Sequence, residues 1–228
     1  MATAIDDTTC DNRVAIVTGG SRGLGRAITR RLADGGYAVV VNYAHNQRAA
    51  DAAVDEVLAA NGTALAVRGD VADQLDVERL FSETTEAFGG VDVVVHTVRH
   101  FILTPDPDDD LEVFDALQRT NVRGTFVVNR QASRNLRDGG AIVNLLSSVG
   151  GLPSPTFAAS AASNAAIEAI TAALAHELCG RDITVNGIAL GLDPPSDSSD
   201  AVDIVVFLAS KAGHLINGQV IRAGGAHE

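Results

Sequence analysis

Along the chain, short apolar runs rich in β-branched residues alternate with longer stretches in which apolar positions recur every three to four residues. The short runs lie at 13–18, 37–42, 64–68, 91–96, 141–146, 183–188 and 219–222. They are apolar at nearly every position, as strands covered on both faces require. The longer stretches, at 24–33, 47–60, 74–88, 110–129, 157–179 and 201–209, have the period of helices with one buried face. Glycine pairs at 35–36, 89–90 and 139–140 read as helix stops ahead of the following strand. No internal repeat or low-complexity linker interrupts the alternation. The expectation is one domain over 13–228, an α/β, Rossmann-like, doubly wound parallel sheet of about seven strands with helices on both faces, preceded by an acidic tail over 1–12.

The first strand runs straight into Thr18-Gly-Gly-Ser-Arg-Gly-Leu-Gly25, which opens the first helix. In that context Gly19, Gly23 and Gly25 let the backbone turn tightly and approach a pyrophosphate, with Ser21, Arg22 and Leu24 between them. The phosphates would lie against the unpaired N–H groups of the helix start. The second strand ends in Asn42-Tyr43 rather than in the acid that holds ribose hydroxyls in NAD sites, so a 2′-phosphate is not repelled there. Arg22 in the turn, and Arg48 after the second strand, offer a guanidinium fork for that phosphate. The expected cofactor is therefore NADP(H).

With 17 Lys and Arg against 29 Asp and Glu, the net charge is −12, which disfavours phosphate backbones and anionic lipid as partners. No leader-like or membrane-length apolar segment is visible, and a cytoplasmic protein is expected. Cys10 and Cys179 have no zinc-like or disulfide-like spacing, and His45, His176, His214 and His227 show no ligand spacing, so no metal is implied. The acidic run 106–110 reads as a helix N-cap with favourable charge at the helix start.

Taken with the glycine turn, several further segments resemble the short-chain dehydrogenases/reductases, and the likeness spans nearly all of 13–225. They are Asp70-Val71, Asn121-Val-Arg-Gly124, Ile142-Val-Asn-Leu-Leu-Ser-Ser148, Ile183-Thr-Val-Asn-Gly187 and Asn217-Gly-Gln-Val-Ile-Arg222. The nearest likeness is to ketoreductases of the acyl-carrier-protein reductase type. The resemblance implies that Asp70 holds the adenine amino group beside Val71, that Asn121 anchors a proton relay, and that Ser148 binds a substrate carbonyl. It also implies pairing of chains through the two long helices, giving a dimer or tetramer.

The chain departs from that family where the chemistry sits. Family members reduce a carbonyl with a Tyr whose pKa is lowered by a Lys four residues on. The matching segment here, 157–166, puts Ser160 at the Tyr position and Asn164 at the Lys position. The two tyrosines are Tyr37 and Tyr43 at the second strand, and the single lysine is Lys211, so no relocated pair is available. A serine hydroxyl is a much weaker acid than phenol, and an amide supplies no cation. After the fourth strand the family's Asn-Asn-Ala-Gly becomes His96-Thr97-Val98-Arg99, bulkier groups that crowd the cofactor and weaken or abolish its binding. A substrate-covering insert after the sixth strand is largely missing from 189–200.

His96, Arg99 and His100 fall at the carboxyl end of a central strand, where open α/β sheets bind ligands. Imidazole moves protons near neutral pH and Arg holds anions, so with Ser148 these residues suit chemistry without hydride transfer. No Ser-His-Asp order supports Ser148 as a nucleophile. Ser147 and Ser148 read instead as substrate hydrogen-bonders. Three functions remain open. The first is a repurposed non-redox enzyme performing proton transfer, dehydration or cyclisation on a small polyketide-like substrate, free or carrier-bound. The second is an NADPH-dependent reductase with an atypical proton donor, and the third a non-catalytic subunit pairing with an intact homologue.

Overall fold

In the computed structural model, residues 13–98, 111–147, 158–191 and 199–223 are described. Seven strands, β1 (Val14–Thr18), β2 (Ala38–Tyr43), β3 (Thr63–Arg68), β4 (Val91–His96), β5 (Leu136–Ser147), β6 (Thr184–Leu190) and β7 (Val220–Ala223), form one sheet. Their order is β3-β2-β1-β4-β5-β6-β7, and every pairing is parallel. The order reverses between β1 and β4, which opens a crevice at the carboxyl ends of those strands.

Helices α1 (Gly23–Asp34) and α7 (Ser199–Ala209) cover one face, packing Ile28, Leu32, Val205 and Leu208 on Val17, Val39, Val93 and Val95. On the other face α3 (Gln74–Phe88), α5 (Gly124–Asn135) and the end of α6 (Ala158–Glu177) pack Leu80, Phe81, Val128 and Ala175 on Ile16, Val40, Val94 and Ile142. Alternate side chains of each strand thus feed two apolar layers, which is why the strands read as continuous apolar runs. Helix α2 (Gln47–Ala59) closes the β2–β3 edge, its start capped by the Asn46 side chain accepting from the Ala49 N–H. Among the described residues no helix is long and apolar enough to cross a membrane.

Two expectations need correction. The stretch expected as one helix over 110–129 begins, among described residues, as α4 (Leu111–Gln118). It then widens into a π turn at Arg119–Arg123 and continues as α5 to Asn135. The π turn lets the Asn121 side chain turn toward α6, and the Asn121 carbonyl accepts the Thr125 hydroxyl at 2.6 Å. The second concerns Gly139-Gly140, which stops no helix. α5 ends at Asn135, and the pair lies inside β5, where the register with β4 jumps from Val91↔Leu136 to Val93↔Ala141. Gly139 takes φ +77° there, and Arg137 in the same bulge pairs with Asp92 at 2.9 Å. The pairs at 35–36 and 89–90 do follow helices, with Gly89 in the left-handed conformation and its N–H on the Thr85 carbonyl.

A row of polar residues crosses the sheet in register just above the second apolar layer: Asn42, Thr18, His96 and Asn144. Asn144 and Asn129 exchange amide hydrogen bonds of 2.8 and 3.1 Å, and Asn144 also donates to the Thr171 hydroxyl. This buried network fixes α5 and α6 against β5, and so fixes the strand end at Ser147 relative to Ser160 and Asn164.

Candidate functional site

The turn after β1 has the backbone its glycines suggest. Gly19 and Gly23 take φ +67° and +52°. Gly25 sits so close under the turn that a Cβ would lie 2.3 Å from the Gly19 carbonyl oxygen. Arg22 is extended at the N-cap of α1, whose first turn holds no acidic residue, leaving the positive helix end free for an anion.

Beside this turn lies a cleft of about 410 Å³. Six of the residues expected to bind the nucleotide line it: Gly19, Ser21, Arg22, Asn42, Asp70 and Val71. Gly23, Leu24 and Gly25 do not line it. Leu24 packs against the α1–α7 core, and Gly25 supports the turn from below. Arg48 is exposed on the first turn of α2 and is not part of the lining, so the fork expected there falls to Arg22 alone. Val98, His45, Arg119 and Thr120 are also among its lining residues. Val98 belongs to the β4 exit expected to meet the cofactor, whereas His45, Arg119 and Thr120 are not expected there from the sequence. Arg119 and Thr120 stand just before Asn121 in the π turn, and that adjacency was the available signal.

Asn42 is buried and donates to the carbonyl of Gly69 at 3.0 Å, so it brings an uncharged amide to the position where an acid would hold ribose. Asp70 accepts the Ala72 N–H at 2.9 Å and pairs with Arg119 at 2.8 Å. Burial pushes its carboxyl up, but the Ala72 N–H and the Arg119 guanidinium outweigh that and hold it below the ordinary carboxylate range. Arg22, His45 and Arg119 therefore gather basic groups around one acid, in a chain whose net charge is −12. At the β4 exit, Thr97 and Val98 pack against the glycine turn. Thr97 Oγ1 and Val98 Cγ2 lie 2.8 and 3.1 Å from where a Gly19 Cβ would be, and the Thr97 hydroxyl donates to the Thr18 carbonyl.

At the end of β5 a second group assembles. The Ser147 N–H donates to Asn164 Oδ1 at 3.1 Å. Asn121 donates to the Ser163 hydroxyl at 3.2 Å, and that hydroxyl donates to the Ser160 carbonyl at 2.9 Å. Of the three residues expected from the resemblance to share one site, Asn121 is thus tied to the Ser160 backbone through Ser163, while Asn164 is held separately on the Ser147 N–H at the end of β5. Ser147 Oγ, Ser160 Oγ and Asn164 Nδ2 are buried and have no hydrogen-bond partner among the described residues. Ser148, Arg99, His100 and the acidic run 106–110 lie outside the described residues, as do Cys10 and His227.

His96 stands differently from the crevice-facing proton shuttle expected. It is fully buried in the polar row, its Nδ1 2.9 Å from the Thr18 hydroxyl, while Nε2 has no partner among the described residues. Burial lowers its pKa from 6.5 to about 4, so the ring is neutral near pH 7 and cannot exchange protons as an imidazolium there. Because the folded pKa lies below the unfolded one, this contribution to stability is complete above pH 6.5 and is lost as pH falls toward 4. The full loss is about 3 kcal/mol. Thermal unfolding should accordingly show wild type losing its melting temperature between pH 7 and 4.5 more steeply than His96→Gln. Parallel curves would remove this account of His96. Among the described residues no three His, Cys, Asp or Glu side chains cluster as metal ligands, and Cys179 is an exposed free thiol.

A parallel sheet reversing at β1/β4, with a glycine turn and a basic cleft at the reversal, defines a dinucleotide-binding α/β protein. The family model described as short chain dehydrogenase matches residues 13–196. The chain belongs to the short-chain dehydrogenase/reductase family. It is 34% identical to the 3-oxoacyl-[acyl-carrier-protein] reductase FabG of Staphylococcus aureus, over 92% of this chain and 96% of that one. A dehydrogenase/reductase from Sinorhizobium meliloti superposes with TM-score 0.88 at 33% identity, covering 94% of each chain. A short chain dehydrogenase from Burkholderia cenocepacia, solved with NADP, superposes with TM-score 0.87 at 32% identity, over 92% of this chain and 96% of that one.

Proposed function

We propose that this chain holds NADP(H) in the β1/β4 cleft and acts on a small, polyketide-like carbonyl compound, free or carrier-bound, by proton transfer, dehydration or cyclisation rather than by standard carbonyl reduction. The observation that carries this reading is the trio Ser147 Oγ, Ser160 Oγ and Asn164 Nδ2, buried and without partners among the described residues. In this reading the two hydroxyls and the amide N–H₂, none of them spent on another described residue, serve as donors to a substrate oxygen. None can be a phenol-like acid, since a hydroxyl at 160 and an amide at 164 lack both the acidity and the cation that carbonyl reduction uses in the family. Such donors strengthen their bonds as negative charge grows on a carbonyl oxygen, which acidifies the adjacent C–H. In a β-hydroxy ketone the same polarisation lets the α-proton and the β-hydroxide leave together as water while a C=C bond forms. No electrons pass to or from the nucleotide.

NADP(H) fits the cleft on this chain's own residues. Arg22 at the helix start and the uncharged Asn42 suit a 2′-phosphate, and the glycine turn admits a pyrophosphate where a side chain would collide. A bound nucleotide of this kind is a hydride carrier, but the proposed reaction leaves it unconsumed. The Ser147–Ser160–Asn164 group would bind and orient a carbonyl oxygen.

The test is to incubate the protein with a β-diketone and a β-hydroxy ketone in D₂O, with NADPH present, following α-deuteration and water loss by NMR and the nucleotide by its absorbance. Exchange or dehydration well above buffer, with the nucleotide unconsumed and with activity falling about 10²-fold in Ser160→Ala, supports the reading. Stoichiometric NADPH oxidation would replace it with the reductase reading, which the reductase names of its relatives favour.

The face formed by the π turn, α5 and α6 supports pairing with a second copy or an intact homologue. Phe126 is 54% exposed there, beside Val122 and Ile170 in an open groove of about 750 Å³. We place the chain in the cytoplasm as such an oligomer. Sedimentation as a monomer at micromolar concentration, with no co-purifying relative, would remove the pairing.

A further inference from the structure

We propose that Arg119 is a specificity-determining residue on the adenine side of the cleft, held edge-on by Asp70 so that the flat face of its guanidinium stacks on the base of a bound adenine nucleotide. This rests on reading the cleft as the nucleotide site.

Arg119 opens the π turn, and Asp70 follows β3, so the pair joins two walls of the cleft. Asp70 is anchored on three sides. Its Oδ1 accepts the Ala72 N–H, its Oδ2 meets Arg119 at 2.8 Å, and its own N–H donates to Asp76 Oδ2 at 2.8 Å. One in-plane N–H of the Arg119 guanidinium meets that carboxylate, and a bond in the plane of the group leaves its π faces available. The Arg119 side chain nevertheless remains 52% exposed. It is oriented without being covered, which is how a preformed stacking platform differs from a structural ion pair.

Other lining residues flank this pair. Val71, buried, and Val98 add apolar surface, while Thr120 continues from Arg119. A cavity bounded by apolar surface and a planar cation suits a flat, electron-rich heterocycle better than a compact polar ligand. The division of labour is then distinct for each residue. Asp70 reads the edge of the base, where an exocyclic amine can donate to it. Arg119 reads the face, with little regard to that amine.

Calorimetric titration of the full chain with NADPH and with its hypoxanthine analogue separates these roles. Arg119→Ala should weaken both nucleotides alike, by about 5- to 30-fold. Arg119→Lys should recover little, because an ammonium carries the charge without the plane. Asp70→Asn should cost more with NADPH than with the analogue, which lacks the amine. The side chain is half exposed and its ion pair contributes only about 0–1 kcal/mol, so the variants should melt near wild type. Binding within twofold of wild type in Arg119→Ala overturns the proposal, as does tighter binding, which would mean that the side chain obstructs the cleft. Full recovery in Arg119→Lys overturns it too, leaving only a point charge. Failure of wild type to bind either nucleotide is a different result, since it removes the nucleotide reading of the cleft and this inference with it.

Discussion

Gly25→Ala should lose most of its nucleotide affinity and melt roughly 5–10 °C below wild type, about 2–3 kcal/mol for a chain of this length. Taken alone, the substitution favours a helix, because Ala in a helix interior is about 1 kcal/mol better than Gly. Sterics reverse the sign. The added Cβ would stand 2.3 Å from the Gly19 carbonyl oxygen, 2.9 Å from its carbonyl carbon and 3.1 Å from Thr97 Oγ1. The first two are backbone atoms, so relief requires the turn itself to move, and with it the N–H groups at the start of α1. Gly23→Ala is the control. Gly23 has φ +52° and nothing within 4 Å of its would-be Cβ, so it should show only the strain of a left-handed residue, about 1–2 kcal/mol, with the turn in place. Thermal unfolding and NADPH titration of the two variants decide the matter. A Gly25→Ala protein that melts and binds like wild type would mean that the turn is slack and that no close backbone approach shapes the cleft.

That turn was legible because its signal is local: a strand, a run of glycines and a helix in immediate succession. The seven strands were legible for a related reason, since a parallel strand covered on both faces must be apolar at nearly every position, whatever its neighbours. What the sequence did not disclose depends on contacts between distant residues. The π turn at Arg119–Arg123 keeps a helical period on both sides, and only the link from Asn121 to Ser163 in α6 shows why the helix widens there. The Gly139-Gly140 pair looked like a helix stop because glycines mark bulges and caps alike. The register jump against β4 distinguishes the two.

His96 illustrates a signal present but unused. Strand alternation sends Val93 and Val95 to the α1–α7 layer and Val94 to the α3–α5 layer, which puts His96 on the latter face, beneath α5. Position at the carboxyl end of a strand suggested the crevice, but the two-residue period decided the side, and burial then removed the proton shuttle. Arg119 is the reverse case. Apart from its place two residues before Asn121, nothing in the sequence distinguishes it from the fifteen other arginines, and only the fold brings it to Asp70.

If the proposed function holds, placing a Tyr–Lys pair on α6 as Ser160→Tyr with Asn164→Lys should raise NADPH-dependent reduction of simple ketones by at least about 10²-fold over wild type. The two positions lie one helical turn apart on α6, are both buried, and face the end of β5, where Asn164 meets the Ser147 N–H. A Tyr at 160 supplies an O–H that can be donated as hydride arrives. A Lys at 164 places a cation one turn away to stabilise the phenolate and lower its pKa from near 10. Each single variant should stay near the wild-type rate. The phenol alone titrates too high, and the ammonium alone has no acid to assist, so the gain appears only in the double variant and is strongly non-additive. The exchange has a cost, because Lys cannot accept the Ser147 N–H and that bond, about 1 kcal/mol, is lost. The melting temperature of the double variant measures that cost separately from the rate. If the double variant folds and binds NADPH as wild type does yet reduces nothing, the absence of the pair is not what bars reduction, and Thr97 and Val98 packed on Gly19 become the cause. If wild type already oxidises NADPH as fast as the double variant, then Ser160 or water suffices as the donor, and the non-redox reading of the Ser147–Ser160–Asn164 group falls.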